Sequence, residues 1–423
     1  MSSRIGTKRT LVAALCLALV TMLSGCVVTS YAFDGAHPGK TTITLWSDVG
    51  VDPSFVQLDK IFHEKYPNII VRHAAVDMNN FGPKLVAAAG EKDGPDVIIG
   101  NPVVDFPLTA AGKVYADVSK YWAKSPARKE YPEAGLWKQN GKLLEFMWRF
   151  ADLGFWYNKT ILDEFHLKPP TTVAEVNQDM AIVTKSGKYK GIALSGDATV
   201  QSTWIFMMWL LAQGVNYCNI DSPQTPGVFS MIDGWRKKGY LPPDVSTLNM
   251  NDAFMRFLTG QYAFAEGGSW ELPTVAEADP KFQIGTSVMP AGKGGSHVSF
   301  AGESIAMGAF SKHKDAAWKY IETAFLSNAG ELATFKASGQ IPPRKDTRTS
   351  KAVTDTKYSG PFITELQPKY LKPWPNNTKT LDAQTDLGVV QSNMLAGAYG
   401  SAKAAKEAVK RVKQDFKEGG GGC

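Results

Sequence analysis

Strand-like and helix-like patterns alternate near the start of the chain, and this alternation limits the fold more than any other feature. Residues 43–46 alternate as a strand does. Asp52 and Pro53 predict the N-cap and the first residue of a helix, whose apolar side chains recur at helical spacing from Phe55 to Tyr66, and residues 69–71 are again typical of a strand. A helix over 81–89 and a short apolar strand over 97–99 are expected next. This order predicts an α/β fold with a doubly wound sheet, which binds ligands at the carboxyl ends of its strands.

Later segments extend the same interpretation. Residues 200–270 are predicted to be mainly helical and rich in aromatic side chains, and Ser311–Leu326 is predicted to form a further helix. The spacing of apolar residues over Ser401–Phe416 predicts an amphipathic helix whose Lys- and Arg-rich face is exposed to solvent. Because the chain has 423 residues and shows no internal repeat, we expect two or three globular domains.

The N-terminal residues have the order of a bacterial export signal. Three cations precede a mostly apolar stretch over 11–23, which is too short to span a bilayer of about 30 Å comfortably. Leu23–Cys26 resembles a lipobox, which implies a signal peptide over 1–25, lipid on Cys26 and a tether over 26–40. A plain signal peptide with an incidental cysteine, or a retained anchor, are the alternatives.

The chain contains four cysteines, and the export signal accounts for two of them. Cys16 would be removed with the signal peptide and Cys26 would be acylated. Cys218 and Cys423 then stand far apart in the sequence, which indicates neither a disulfide framework nor a metal site. Residues 419–423 are expected to form a flexible Gly-rich tail.

Charge and motifs exclude several classes of protein. The net charge is +6, and three of the cations lie in the expected signal peptide, so no concentrated basic surface indicates a nucleic-acid partner. GxxxxGK[ST], HExxH, GxSxG and paired CxxC motifs are absent from the sequence, and we expect no cofactor and no metal. Carboxylates are plentiful, so a glycosidase pair stays open from composition alone.

Several separated segments resemble the extracellular solute-binding proteins of carbohydrate ABC importers, the group that contains maltose- and trehalose-binding proteins. The segments that carry the resemblance are Ile43–Trp46, Phe62–Pro67, Gly94–Val97, Gly112–Val118, Phe150–Lys159, Phe257–Ala263, Gly267–Trp270, Gly302–Ala306, Ala316–Trp318 and Gly339–Arg344. They occur in the order expected for this family over almost the whole exported chain. Two departures, Thr171–Val173 in place of a Trp and Ala301 in place of a Gly, concern the exact sugar and leave the fold unaffected.

The resemblance implies a periplasmic-binding-protein-like fold of two α/β lobes joined by a hinge. The N-lobe would comprise 41–150 plus 297–345, and the C-lobe 151–296 plus 346–418. The protein would be a monomer and not an enzyme. It would capture a carbohydrate, expected to be an oligosaccharide, in the cleft and deliver it to a membrane permease from the extracytoplasmic face of the cell membrane.

A sugar presents hydroxyl edges and flat apolar faces, so a sugar site needs charged or amide groups together with aromatic rings. Trp270 follows a Gly-Gly-Ser turn and is the expected stacking residue. Asp152 lies in the crossover segment, where the resemblance implies an acid against sugar hydroxyls. Asp48 and Asp105 follow expected strands of the sheet. Each of these side chains has an alternative role in packing, capping or a loop.

The remaining expected contacts come from the second half of the chain. Gly302 and Glu303 lie where the chain would re-enter the N-lobe, and Arg344 follows two prolines and has the geometry to bind hydroxyls with two parallel hydrogen bonds. An interlobe salt bridge is the alternative for Arg344. Residues with a weaker expectation are Trp46, Arg72, Asn101, Trp204 and Trp374.

Three other functions stay open at this point. A surface enzyme such as a glycosidase would hold two carboxyl groups at a fixed separation across the cleft. A binding protein for glycerol phosphate or a peptide would favour additional cations, and Arg344 and Arg72 are the cations expected near the cleft. A structural or adhesive lipoprotein would have an empty cleft.

Overall fold

The computed structural model describes residues 30–31, 40–50, 52–299 and 301–422. The expected signal peptide, the lipid site at Cys26 and the final Cys423 lie outside the described residues. The strands of the described part are β1 (Ser30–Tyr31), β2 (Thr41–Ser47), β3 (Ile69–Ala75), β4 (Val97–Gly100), β5 (Leu136–Gln139), β6 (Lys142–Phe150), β7 (Leu153–Asn158), β8 (Lys190–Ala193), β9 (Tyr262–Gly268), β10 (Ile284–Ser287), β11 (Val298–Ser299), β12 (Gly302–Met307) and β13 (Leu371–Lys372).

Helices surround these strands. The α-helices of the described part are α1 (Phe55–Lys65), α2 (Met78–Gly90), α3 (Pro102–Ala111), α4 (Ser119–Trp122), α5 (Lys159–Glu164), α6 (Val173–Lys185), α7 (Val200–Ala212), α8 (Thr225–Lys237), α9 (Met250–Leu258), α10 (Glu271–Ala278), α11 (Lys314–Tyr320), α12 (Asn328–Ser338), α13 (Lys345–Arg348), α14 (Lys351–Thr354), α15 (Gly360–Glu365), α16 (Thr380–Leu395) and α17 (Ser401–Glu418).

The larger sheet has the strand order β1-β3-β2-β4-β12-β6-β5. β2 lies between β3 and β4 and runs parallel to both, as the strand and helix alternation predicts. β12 is antiparallel to β4 and to β6, so the sheet is mixed. β1 pairs with the edge of β3 and lies within the expected tether, so part of that segment belongs to the sheet.

The core of this first lobe follows the sequence pattern closely. Phe55, Leu58 and Phe62 of α1 are fully buried against Ile43 and Leu45 of β2. The helix begins at Phe55, two residues later than the expected start. The carboxylate of Asp52 accepts the backbone N–H of Ser54 at 2.8 Å, and residues 53–54 form a turn first.

The smaller sheet has the strand order β10-β7-β9-β8 and forms the second lobe. Nearly every residue of α7 is buried, because α8 and α16 pack around it. Trp209 of α7 meets Trp235 of α8 edge to face, with ring centroids 4.9 Å apart. The aromatic-rich stretch identified in the sequence is therefore mostly the core of this lobe.

The chain passes between the lobes directly from β6 to β7, again from β11 to β12, and a third time between α12 and α15. The crossings are hydrogen-bonded side by side. Phe150 and Ile341 exchange backbone hydrogen bonds of 2.8 and 2.9 Å, and the N–H of Ala151 donates to Ala301 at 2.9 Å. Three adjacent extended segments of this kind form a hinge.

Two further expectations require correction. The helix expected over Ser311–Leu326 begins at Lys314 and continues from Ile321 as a π-helical turn. Ser311 lies outside it because its hydroxyl donates to Asp96 at 2.6 Å. Cys218 is disulfide-bonded, which the spacing of the cysteines did not indicate.

Among the described residues we find no helix that is long and apolar enough to cross a membrane.

Candidate functional site

The carboxyl ends of β2 and β4 carry acidic side chains on the first lobe. Asp48 follows β2, and its backbone N–H donates to Ile99 at 3.2 Å. Asp105 lies in the first turn of α3, whose N-cap is Asn101. Gly82 allows α2 to approach this carboxylate, since a Cβ there would lie 2.5 Å from Asp105 Oδ1. The sheet therefore places Asp48 and Asp105 at the edge predicted from the sequence.

The carboxylates of Asp48 and Asp105 are buried, and no oxygen of either makes a well-formed hydrogen bond in the described structure. Burial, followed by the negative charges of Asp105 and Glu303, raises the pKa of Asp48 well above its usual range. Burial raises the pKa of Asp105 to about 7. Such groups gain most from an incoming hydrogen-bond partner, because an unsatisfied buried polar atom costs about 1–3 kcal/mol.

Glu303 lies at the same edge but is held in an ion pair. Its Oε2 accepts from Nε of Arg149 at 2.6 Å and from Nε2 of Gln340 at 3.0 Å. Nη1 of Arg149 donates to Asp52 at 2.6 Å, so a buried cation is shared by two acids. Neither Asp52 nor Arg149 was among the residues expected from the sequence, since each becomes notable only through its distant partner.

Gly302 has a backbone role in this arrangement. Its φ is +142°, and a Cβ would lie 2.0 Å from the carbonyl oxygen of Arg149. Glycine is required there because L side chains rarely adopt this conformation and because the strands approach so closely. Gly302 thus fixes the position of Glu303 next to it.

Asp152 lies in the first crossing between the lobes. It is 1 % exposed, and neither carboxylate oxygen makes a well-formed hydrogen bond in the described structure. Burial raises the pKa of Asp152, and burial together with the charge of Asp152 raises the pKa of Glu365. The charge of Arg348 opposes the shift at Asp152. Arg348 and Glu365 are further residues that the sequence did not reveal.

Trp270 lies directly beside this crossing on the second lobe. The N–H of Ser269 donates to the carbonyl of Asp152 at 3.2 Å. The Trp270 ring lies over Gly268, where a Cβ would approach within 2.0 Å of the ring, and its Nε1 is buried without a well-formed hydrogen bond in the described structure. The glycine therefore permits the indole ring to lie flat against the backbone.

Arg344 does not join these residues. Its guanidinium pairs with Asp346 at 2.6 Å and donates to the carbonyl of Leu326 at 3.1 Å. It lines a separate cavity with Ile61 and Pro126 on the first lobe. The cation that faces Asp152 is Arg348, four residues further along α13.

The two lobes also touch through one buried amide. Nε2 of Gln384 donates to the carbonyl of Val103 at 3.2 Å, and its Oε1 accepts from the indole of Trp204 at 2.7 Å. A cavity of about 630 Å³ lies between the lobes near this contact, with Asp105 on one wall and Asp382 on the other. This volume is within the range of small-molecule sites.

The residues that were expected less strongly to contact the ligand lie in different parts of the structure. Trp204 takes part in the interlobe contact, and Asn101 caps α3. Trp46 lies beneath the ammonium of Lys84, Trp374 stacks on Tyr217, and Arg72 is an exposed residue of β3. Within the part of the chain that the structure describes, no group of three or more His, Cys, Asp or Glu side chains is arranged to hold a metal ion.

Two α/β lobes, a three-segment hinge and buried polar groups facing the junction define a two-lobed binding protein. Residues 57–358 match the family model described as bacterial extracellular solute-binding protein. The chain belongs to this family, which confirms the resemblance seen in the sequence. It also confirms that the protein is a binding protein rather than an enzyme and acts on the extracytoplasmic side.

Known relatives support the same assignment. The multiple sugar-binding protein of Streptococcus mutans is 26% identical over 295 residues, which cover 64% of this chain and 68% of the relative. The maltose-bound MalE3 of T. maritima has a TM-score of 0.77 at 21% identity and covers 88% of this chain and 99% of its own. The cyclic α-maltosyl-1,6-maltose binding protein of Arthrobacter globiformis has a TM-score of 0.73 at 22% identity. The match covers 90% of this chain and 100% of that protein's chain. These likenesses confirm the two-lobed fold.

Proposed function

We propose that this protein captures a carbohydrate, most suitably an oligosaccharide, between its lobes and delivers it to the permease of an ABC importer. The observation that carries the proposal is a set of three buried carboxyl groups, Asp48, Asp105 and Asp152, whose oxygens make no well-formed hydrogen bond in the described structure. Asp152 lies beside Trp270. Sugar hydroxyls are donors that satisfy such oxygens, and an indole ring offers the apolar face of a sugar a large surface.

The ligands of similar solved structures support an oligosaccharide. Structures with the same fold hold maltose in the T. maritima protein, cycloalternan in a Listeria monocytogenes protein and mannotriose in CpMnBP1. The cavity of about 630 Å³ beside Asp105 has room for more than a small ion. Asp48, Asp105, Asp152 and Trp270 are the contacts that we assign to the ligand, while Gly302 and Glu303 shape the edge of the site.

Capture would proceed by closure of the hinge. A ligand that contacts both lobes binds the closed arrangement better than the open one and therefore favours it. We place the lobe boundaries at 41–150 plus 297–345 and 151–296 plus 346–418, and the Gln384 contact with Val103 would form on closure. The permease would then recognise the closed surface.

A phosphate-bearing ligand fits the site less well. Arg149 is shared by Asp52 and Glu303, and Arg348 donates to the carbonyls of Pro342 and Pro343. Both guanidinium groups near the hinge are thus engaged, while the ionised form of any of the three carboxyl groups would repel an anion. The glycerol phosphate alternative therefore has less support than a neutral sugar.

A thermal-shift panel tests the proposed ligand class. We expect at least one of maltose, maltotriose, trehalose, mannotriose and cycloalternan to raise the Tm, because a ligand at 100 times its Kd adds about 2.7 kcal/mol of stability. The same sugar should reduce the radius of gyration in small-angle scattering. Glycerol 3-phosphate and a tripeptide are the comparison ligands. Stabilisation by one of these alone, or an unchanged scattering profile at saturation, would contradict the proposal.

We further propose that lipid on Cys26 holds the protein at the membrane, on the basis of the charged, apolar and lipobox-like order of residues 1–26. Expression of the full gene with and without Cys26→Ser in a bacterial host tests this assignment. We expect the parent protein in the membrane fraction and the variant in the soluble extracytoplasmic fraction, because the variant lacks the acylated thiol. Identical partitioning of the two forms would show that another segment anchors the chain.

A further inference from the structure

The disulfide of Cys218 has its partner outside the described residues. Cys218 is the one cysteine within them, and Cys16, Cys26 and Cys423 are the remaining cysteines of the sequence. Two of these three lie in the segment that we expect to be removed or acylated. The contacts around the Gly-rich tail distinguish among the candidates.

The tail is held against the second lobe up to the residue before Cys423. Nδ2 of Asn377 donates to the carbonyl of Phe416 at 3.0 Å and to that of Gly422 at 2.9 Å. Gly419 packs against the same amide, since a Cβ there would lie 1.8 Å from its oxygen. Gly422 directly precedes Cys423 in the sequence.

The loop that carries Cys218 contacts the segment 374–377, which contains Asn377. Tyr217 beside it stacks on Trp374, with ring centroids 6.0 Å apart and planes 28° apart. Lys413 of α17 pairs with Asp221 at 2.5 Å, three residues after Cys218. The loop of Cys218 thus contacts α17 through Asp221 and the segment 374–377 through Tyr217, and this segment holds the tail through Asn377.

We propose that Cys218 and Cys423 form a disulfide that fastens the Gly-rich tail to the second lobe and braces the segment 374–377. A disulfide needs Cα atoms about 4.4–6.8 Å apart, and the four glycines before Cys423 give the chain the freedom to reach that distance. The tail is then a structural part of the lobe rather than a free extension.

The bond forms by thiol–disulfide exchange on the extracytoplasmic side. The two thiols lose two protons and two electrons, and the disulfide of a thiol oxidoreductase accepts them and becomes a dithiol. Cys218 is exposed, so an oxidant can reach it. Disulfides persist in oxidising extracytoplasmic compartments, where the family acts.

The braced segment borders the junction between the lobes. A cavity of about 360 Å³ has Phe106 and Pro107 on one wall and Trp374 and Pro375 on the other. Oδ1 of Asn377 also accepts the N–H of Lys379 at 2.9 Å, immediately before α16. Fastening Asn377 therefore steadies both this wall and the start of the helix that carries Gln384.

Peptide mapping of the full-length protein tests the pairing. Free thiols are blocked with iodoacetamide before tryptic digestion without reductant, and we expect the peptide with Cys218 to be linked to the peptide that follows Lys417. Reduction should release both. Alkylated Cys423, or Cys218 linked to Cys16, Cys26 or a second copy of itself, would overturn the proposal.

A cycle of variants tests the bracing. Cys218→Ser and Cys423→Ser should each lower the Tm by a few degrees, and the double variant should lose no more than either single one, because both remove the same bond. Reduction of the parent protein should speed amide exchange at 377–380. Additive losses or unchanged exchange would overturn the bracing. None of these measurements requires a sugar, so they stand apart from the ligand proposal.

Discussion

Arg149→Met is expected to destabilise the protein by about 3–5 kcal/mol at pH 7, because removal of one partner leaves buried charges uncompensated. The side chain of Arg149 is 5 % exposed and lies 2.6 Å from both Asp52 and Glu303. Methionine fills much of the volume of the Arg149 side chain. The loss of stability therefore comes from the missing charge rather than from a cavity. Urea denaturation monitored by far-UV circular dichroism gives the free energy of unfolding.

The pH dependence of this loss identifies its cause. Although burial opposes it, the charge of Arg149 and the Ser54 hydrogen bonds lower the pKa of Asp52. A carboxylate with a lowered pKa stabilises the fold above its unfolded pKa and loses that contribution as the pH falls through its folded pKa. The cost of Arg149→Met should therefore stay full from pH 7 down to about pH 4, the usual pKa of an aspartate, and shrink as the pH falls further.

Arg256→Met is the matched control for this substitution. Arg256 pairs with Asp244 at 2.7 Å, but both side chains are 43 % exposed. Exposed pairs contribute about 0–1 kcal/mol, so this variant should remain close to the parent protein. An equal loss in both variants would assign the effect to the missing aliphatic and planar contacts rather than to the buried charge.

Trp270→Ala is expected to weaken sugar binding tenfold or more while the fold survives. A tenfold loss corresponds to about 1.4 kcal/mol, which is within the range of a large aromatic contact with its ligand. The ring is half-buried, lies over Gly268 and packs against the core of the second lobe, so circular dichroism of the variant must show that the fold survives. Calorimetry with the sugar found in the thermal-shift panel measures the loss.

Trp270→Phe separates the ring from the indole N–H. Phenylalanine keeps an aromatic face and removes the buried Nε1, which makes no well-formed hydrogen bond in the described structure. We expect an intermediate affinity if stacking dominates and an affinity near that of the alanine variant if the N–H donates to the sugar. Unchanged affinity in a folded Trp270→Ala protein would place Trp270 among the packing residues and remove it from the site.

Local pattern predicted much of the first lobe. The apolar spacing of 43–99 led to β2, α1, β3, α2 and β4, because burial of one face per element depends on neighbouring residues. The mixed part of the sheet was not predicted, since β12 joins β4 across some 200 residues of intervening chain. The π-helical turn at Ile321–Phe325 was also not predicted, because its apolar side chains are spaced as in an ordinary α-helix.

In the candidate site, too, some features follow from the local sequence and others only from the tertiary structure. The sequence by itself determined that acids follow the strands and that a Trp follows Gly267 and Gly268, because both depend on residues close in the chain. The tertiary structure alone decided which acids are paired. Glu303 meets Arg149 across 154 residues, while Asp48, Asp105 and Asp152 make no ion pair or well-formed side-chain hydrogen bond within the described residues. It also placed Arg348 rather than Arg344 near Asp152. A charge is neutralised by whatever the fold brings within a few ångströms, and that neighbour comes from a distant segment that no local pattern reveals.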